Sequence, residues 1–179
     1  PLINAYAAYC GLSPEQVLAT RGADEGIELL IRTFCEPSTD SVAICPPTYG
    51  MYSVSSETCG VGLEFIAPDA ELELDFAALN ASKAKLFFLC APNNPTGTMI
   101  DHVALADLAN NKLGKALIVV DEAYIEFSHM ASTAGLIADH DNIVVLRTLS
   151  KAFGLASLRC GFTLASPQVI ALLSKVIPP

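Results

Sequence analysis

Short apolar runs alternate along the chain with segments whose apolar residues fall at helical spacing. Ser41-Val42-Ala43-Ile44-Cys45, the stretch Lys85 to Cys90, Ala116-Leu117-Ile118-Val119-Val120 and Ile143-Val144-Val145-Leu146 have the length and continuity of buried strands. Weaker strand signals cover Val17-Leu18-Ala19-Thr20, the alternating Leu63-Glu64-Phe65-Ile66, and Arg159 to Leu164. Helical spacing follows Gly22, where Ile27, Leu30, Ile31 and Phe34 share one face before Pro37 stops the run. Met51 to Thr58, closed by Gly60, Asp75 to Asn80, Asp101 to Leu108 and Pro167 to Val176 also read as helices. Ser13-Pro14-Glu15 opens a short helical stretch, with Ser13 as N-cap and Pro14 in the first turn.

Strands that are apolar on both faces and separated by helices predict a mostly parallel sheet covered on both sides. The expectation is an α/β three-layer sandwich with up to seven strands. No linker, repeat or compositional break divides it, so residues 1–179 read as one domain.

Composition narrows the choice of partners. Hydrophobic residues make up 52% and charged residues 16%, which suits a packed core and argues against disorder. No apolar run approaches the roughly 18–20 residues of a membrane span. The first residues carry neither a basic start nor the apolar core of a signal peptide. A soluble, cytoplasmic protein is expected. The net charge of −9 argues against a nucleic-acid partner. None of the six cysteines forms a C-x-x-C pair, so they read as reduced thiols. His102, His129 and His140 lack metal-ligand spacing, and no metal site is expected.

In open α/β sheets, ligands bind beyond the carboxyl ends of the strands. Asn93-Asn94, Asp121 and Thr148, Ser150 and Lys151 follow three successive predicted strands, so their polar groups converge on one rim. Several common site motifs are missing: G-x-G-x-x-G, the P-loop and G-x-S-x-G.

Six groups of residues carry a family resemblance. Ala91-Pro92-Asn93-Asn94-Pro95-Thr96-Gly97, then Asp121-Glu122-Ala123-Tyr124, then Ser150-Lys151 with Arg159-Cys160-Gly161 resemble, in that order, the fold-type I aminotransferases dependent on pyridoxal 5'-phosphate. Arg21-Gly22-Ala23-Asp24-Glu25-Gly26-Ile27-Glu28 and Cys45-Pro46-Pro47-Thr48-Tyr49-Gly50-Met51-Tyr52 resemble segments of the histidinol-phosphate aminotransferases within them. One departure is Ser157, where that family usually has glycine.

The resemblance implies a role for each residue. Lys151 would hold the cofactor as a Schiff base and then move a proton. For either job it must shed its charge, which burial and a nearby cation favour. Asp121 would face the pyridine nitrogen, and Asn94 and Tyr124 the ring's phenolic oxygen. Lys151, Asp121 and Tyr124 are therefore the catalytic candidates. Ala23, Asp24 and Glu25 would meet the cofactor phosphate, the first two through backbone N–H groups at a helix start. Thr148, Ser150 and Arg159 would add donors there, and Tyr49 would stack on the ring. Asn93 is expected to shape its turn and Glu122 to be a helper or a surface residue.

The implied reaction moves an amino group between L-histidinol phosphate and 2-oxoglutarate, yielding glutamate, in histidine biosynthesis. The implied assembly is a homodimer, with an N-terminal arm and a small C-terminal domain outside these residues. Threonine-phosphate decarboxylases and aromatic aminotransferases share the Asn-Pro-Thr-Gly and Ser-Lys segments. A catalytically silent fragment or binding module on the same fold is a further alternative.

Overall fold

The structure is a computed structural model and describes residues 1–69 and 71–178. Seven strands form one sheet: β1 (Val17–Thr20), β2 (Ser41–Ile44), β3 (Gly62–Phe65), β4 (Leu86–Cys90), β5 (Leu117–Asp121), β6 (Ile143–Thr148) and β7 (Gly161–Leu164). Their spatial order is β1-β7-β6-β5-β4-β2-β3. β7 pairs antiparallel with both neighbours, β1 and β6, while the other pairs run parallel. The expected mostly parallel sheet therefore contains one reversed strand.

Successive strand residues point to opposite faces, and each face has its own core. Phe87 and Leu89 of β4, Ile118 and Val120 of β5, and Ile143 and Val145 of β6 belong to one cluster. Leu86, Phe88, Val119, Val144 and Leu146 belong to the other. Helices α1 (Leu2–Cys10), α4 (Phe76–Ala81) and α5 (His102–Lys112) contribute Tyr6, Leu79 and Leu105 to the first cluster. Helices α2 (Gly22–Phe34), α3 (Met51–Thr58) and α6 (Pro167–Leu173) contribute Ile27, Tyr52 and Ile170 to the second. The result is the expected three-layer sandwich.

Local signals set most boundaries. Asp75 and Asp101 stand just outside α4 and α5, and each carboxylate accepts from the amide three residues on, Ala78 at 2.9 Å and Ala104 at 2.8 Å. Ser13 precedes the short 3-10 turn Pro14–Gln16, and its amide donates to the Gln16 side chain at 3.1 Å. β7 starts at Gly161 rather than Arg159, because Arg159 takes a left-handed turn (φ 46°) before the strand. Helix α6 ends at Leu173, short of Val176.

Helix α1 has no counterpart among the sequence expectations. It carries no capping side chain and no charge in either end turn. It is held by packing, with the Tyr6 ring stacked on Phe162 at 3.5 Å between centroids.

Candidate active site

The reversed strand gathers the site. In register, Gly161 lies opposite Thr20 on one side and Thr148 on the other. The start of β7 therefore shares a rim with the carboxyl ends of β1 and β6, and the preceding Arg159 is delivered to that rim. Close approach there depends on glycine. A Cβ on Gly161 would lie 2.6 Å from the Gly22 carbonyl carbon and 2.8 Å from the Arg147 oxygen. A Cβ on Gly22, where φ is +78°, would lie 2.7 Å from Arg159 Nη2. Two missing side chains thus let the first turn of α2 sit against the sheet and the Arg159 guanidinium sit against α2.

A cleft opens at this rim, with about 530 Å³ of free space including its open mouth. Ten of the expected site residues line it: Ala23, Asp24, Tyr49, Asn94, Asp121, Tyr124, Thr148, Ser150, Lys151 and Arg159. They come from the start of α2 and from the segments that follow β2, β4, β5 and β6. Cys90 and Ala123 also line it. Glu25 does not, because its carboxylate turns back to accept from the Arg21 amide at 2.6 Å and from Arg21 Nε at 2.7 Å.

The two ends of the cleft differ in charge. Asp121 is 2% exposed at one end. Its Oδ2 accepts from the Tyr52 hydroxyl at 2.7 Å and its Oδ1 from the Ala123 amide at 3.1 Å. Burial pushes this carboxyl up to about 6, against the pull of those two donors; the charges of Asp24 and Glu122 add to the rise. A buried strand-end acid of this kind is primed to meet a cationic or proton-bearing ligand atom.

The other end is built for an anion. The first amides of a helix have no acceptor within it, and those of Ala23 and Asp24 belong to the first turn of α2. Arg159 stands beside them with its side chain 51% exposed, paired to Asp24 Oδ2 at 3.2 Å. Asp24 Oδ1 accepts from the Tyr49 hydroxyl at 3.0 Å, so one carboxylate ties the aromatic to the arginine. Among the described residues, Ser150 Oγ is buried without a hydrogen-bond partner. The Ser150 amide donates to Thr148 Oγ1 at 3.1 Å. A buried orphan hydroxyl, free helix amides and an exposed guanidinium at one end fit a phosphate group.

Lys151 lines the same cleft. Its ammonium is 5.2 Å from the centroid of the Tyr124 ring, within cation–π range. The residue is exposed, so burial within these residues does not supply the desolvation expected of it.

Below the rim, on the opposite face of the sheet, lies an ion network that corrects the reading of Glu122. Glu122 is 1% exposed. It accepts from the Thr133 amide at 2.6 Å, Thr133 Oγ1 at 2.8 Å, Ser132 Oγ at 2.6 Å and Arg147 Nη1 at 3.0 Å. Arg147 also bonds Glu126 at 2.5 Å. The network joins the ends of β5 and β6 directly behind Asp121 and Thr148. The signal for it was a charged residue in each of two apolar strand ends, together with a neighbour relation that only topology supplies. Asn93, as expected, shapes its turn through bonds to Thr48, Pro47 and Thr96.

Fold and site together define a three-layer α/β protein whose strand ends present a lysine, a buried carboxylate and an anion cradle in one cleft. Residues 1–179 match the family described as aminotransferase class I and II, and the chain belongs to that family. It is 57% identical over 180 residues to histidinol-phosphate aminotransferase of Pectobacterium atrosepticum, covering 99% of this chain and 50% of that protein. The enzyme of the same name from Aeromonas hydrophila is 56% identical, with 99% and 51% covered. The crystal structure of histidinol-phosphate aminotransferase from Sinorhizobium meliloti in complex with pyridoxal-5'-phosphate superposes with a TM-score of 0.89. It is 26% identical, and the match covers 98% of this chain and 49% of that one. The chain spans about half the length of the curated relatives it matches.

Proposed function

We propose that this chain is the cofactor-binding large domain of an enzyme that uses pyridoxal 5'-phosphate to transfer an amino group between L-histidinol phosphate and 2-oxoglutarate. One observation carries the reading: Asp121, Lys151 and the anion cradle line one cleft, so a single ligand with a ring nitrogen, an aldehyde and a phosphate can meet all three. The identity to histidinol-phosphate aminotransferases over almost the whole chain supports the choice of substrate.

When bound, the pyridoxal group would supply an electron-poor ring able to take up charge as a proton leaves the substrate carbon that bears the amino group. The residues of this chain then have separate tasks. The amides of Ala23 and Asp24, with Arg159, Thr148 and Ser150, bind the phosphate. Tyr49 covers one face of the ring and excludes water. Asn94 and Tyr124 hydrogen-bond the ring oxygen. Asp121 holds a proton at the ring nitrogen. The Lys151 amine would anchor the cofactor and, when free, would carry a proton to and from the substrate carbon that bears the amino group.

The same reading makes the whole protein a cytoplasmic homodimer. The exposed apolar side chains of Phe153, Leu155 and Leu158 beside the cleft accommodate a covering subunit. No helix among the described residues is long and apolar enough to cross a membrane.

The test is a substrate panel on the full-length protein. Histidinol phosphate with 2-oxoglutarate should yield glutamate, and Lys151→Ala should abolish it. Turnover of threonine phosphate or an aromatic amino acid in preference, or full activity in Lys151→Ala, contradicts the reading.

A further inference from the structure

Asp121 can serve a ring nitrogen only if its carboxylate is aimed at the cleft and ionised when the cofactor arrives. Burial works against the second requirement. The main counterweight comes from a residue outside the cleft lining. Tyr52, on the first turn of α3, is 0% exposed, and its hydroxyl donates to Asp121 Oδ2 at 2.7 Å.

The hydroxyl has little freedom. The Tyr52 ring is stacked on Phe88 of β4, with centroids 4.9 Å apart and planes 5° apart. It also makes a T-shaped contact with the Tyr49 ring, with centroids 5.7 Å apart. The Tyr52 carbonyl is bonded by Ser56 Oγ at 2.8 Å. A rigid phenol therefore bonds one oxygen of the acid and the Ala123 amide the other, and the acid still lines the cleft. Burial beside Asp121 pushes the Tyr52 phenol far above its ordinary value, so it acts as a donor throughout the working range.

We infer that Tyr52 is a positioning residue that aims the Asp121 carboxylate and stabilises its charged form, and so acts on the cofactor ring through Asp121. The inference rests on the proposed cofactor reading for its second half only. The charged and titratable groups that bear on Asp121 are Tyr52 from α3, Tyr49 just before it, Cys90 from β4, Asp24 from α2 and Glu122 beside it, with Lys151, Tyr124 and Arg159 lining the same cleft. Of these, Tyr52 makes a side-chain hydrogen bond to the carboxylate.

The test is Tyr52→Phe, which keeps the stack on Phe88 and deletes only the hydroxyl. Aspartate labelled with carbon-13 at the side-chain carboxyl reports the Asp121 titration by NMR in the cofactor-free chain. Hydrogen bonds to charged groups are strong enough that losing one should raise the midpoint by about one to two pH units. Affinity for pyridoxal phosphate at about pH 6, where the unaltered carboxyl is about half ionised, should fall about fivefold or more, with the fold retained. An unchanged midpoint in folded Tyr52→Phe overturns the inference, and so does a displaced midpoint with unchanged cofactor affinity.

If the variant does not fold, the unaltered chain still decides. The hydroxyl proton of Tyr52 should appear far downfield and move with the Asp121 titration. A resonance indifferent to that titration overturns the inference. Failure of the unaltered chain and of its full-length form to bind pyridoxal phosphate contradicts the proposed function instead, because the titration is read without cofactor.

Discussion

Gly161→Ala tests how the site is assembled. The added Cβ would meet the Gly22 carbonyl carbon at 2.6 Å, Gly22 Cα at 2.8 Å and the Arg147 carbonyl oxygen at 2.8 Å. All three are backbone atoms, on elements flanking β7, so no side chain can rotate away. Ordinary contact distances of about 3.5 Å require the first turn of α2 and the sheet edge to separate by most of an ångström. Overpacking of this kind costs about 2–3 kcal/mol, or a fall in melting temperature of about 5–10 °C for a chain of this size. Urea or thermal unfolding of the cofactor-free chain measures it. The displaced turn carries the Ala23 and Asp24 amides, so affinity for pyridoxal phosphate should fall in the same variant. Gly135→Ala is the control, because its Cβ would have no neighbour within 4 Å. A loss below about 0.5 kcal/mol in Gly161→Ala, or an equal loss in the control, would refute the close-approach argument.

Three other expectations follow from the same geometry. Burial raises the Asp121 carboxyl from 3.8 to about 6, so the folded cofactor-free chain holds this proton more tightly than the unfolded one. The stability this contributes is fully present below pH 3.8, is lost as pH rises through about 6, and amounts to something on the order of 3 kcal/mol. Asp121→Asn should therefore be the more stable protein at about pH 8 and bind cofactor worse; urea midpoints that keep the same pH dependence would contradict this. Arg147→Met strips the buried Glu122 of its cation and should cost about 3–5 kcal/mol, part of it recovered by adding Glu122→Leu; a loss below about 1 kcal/mol in the single variant sinks the network's role. Asp24→Asn removes the negative charge that meets Arg159 at 3.2 Å, so inorganic phosphate should bind about threefold or more tightly by calorimetry, and equal or weaker binding counts against an anion cradle there.

The sheet was readable because its central strands are apolar on both faces. Phe87, Phe88, Val119 and Val144 are each fully buried, which leaves no polar alternation to confuse the pattern. The reversal of β7 was not readable. A parallel return needs a crossover, usually helical, yet the segment from Leu149 to Cys160 holds only the 3-10 turn Ala156–Leu158. Its short length permits an antiparallel return, but nothing in its residues announces one. Helix α1 was missed because Leu2 to Cys10 lacks a polar face and a capping side chain, and its stability comes from packing that lies far away in sequence.

The candidate site is legible where residue type and strand-end position coincide, as at Asp121, Ser150 and Lys151, while Arg159 is legible only through the family resemblance. The site is not legible where a role depends on what lies across the sheet. Tyr52 carries no role in the sequence beyond its place in a helix, and gains one only when α3 is set against the end of β5. Glu122 reads as a surface acid until β6 is known to be the neighbour of β5. Glu25 looks like a cleft residue by its place beside Asp24, yet its carboxylate is used in closing the start of α2 on Arg21.

The most direct test of the account is covalent. The chain, and its full-length form alongside, would be mixed with pyridoxal phosphate, reduced with borohydride and digested, and the modified peptide mapped by mass spectrometry. The account predicts a single stoichiometric label on Lys151, lost in Asp121→Asn or Arg159→Ala at limiting cofactor. A full-length folded protein that carries no label, or carries it on another lysine, would contradict it.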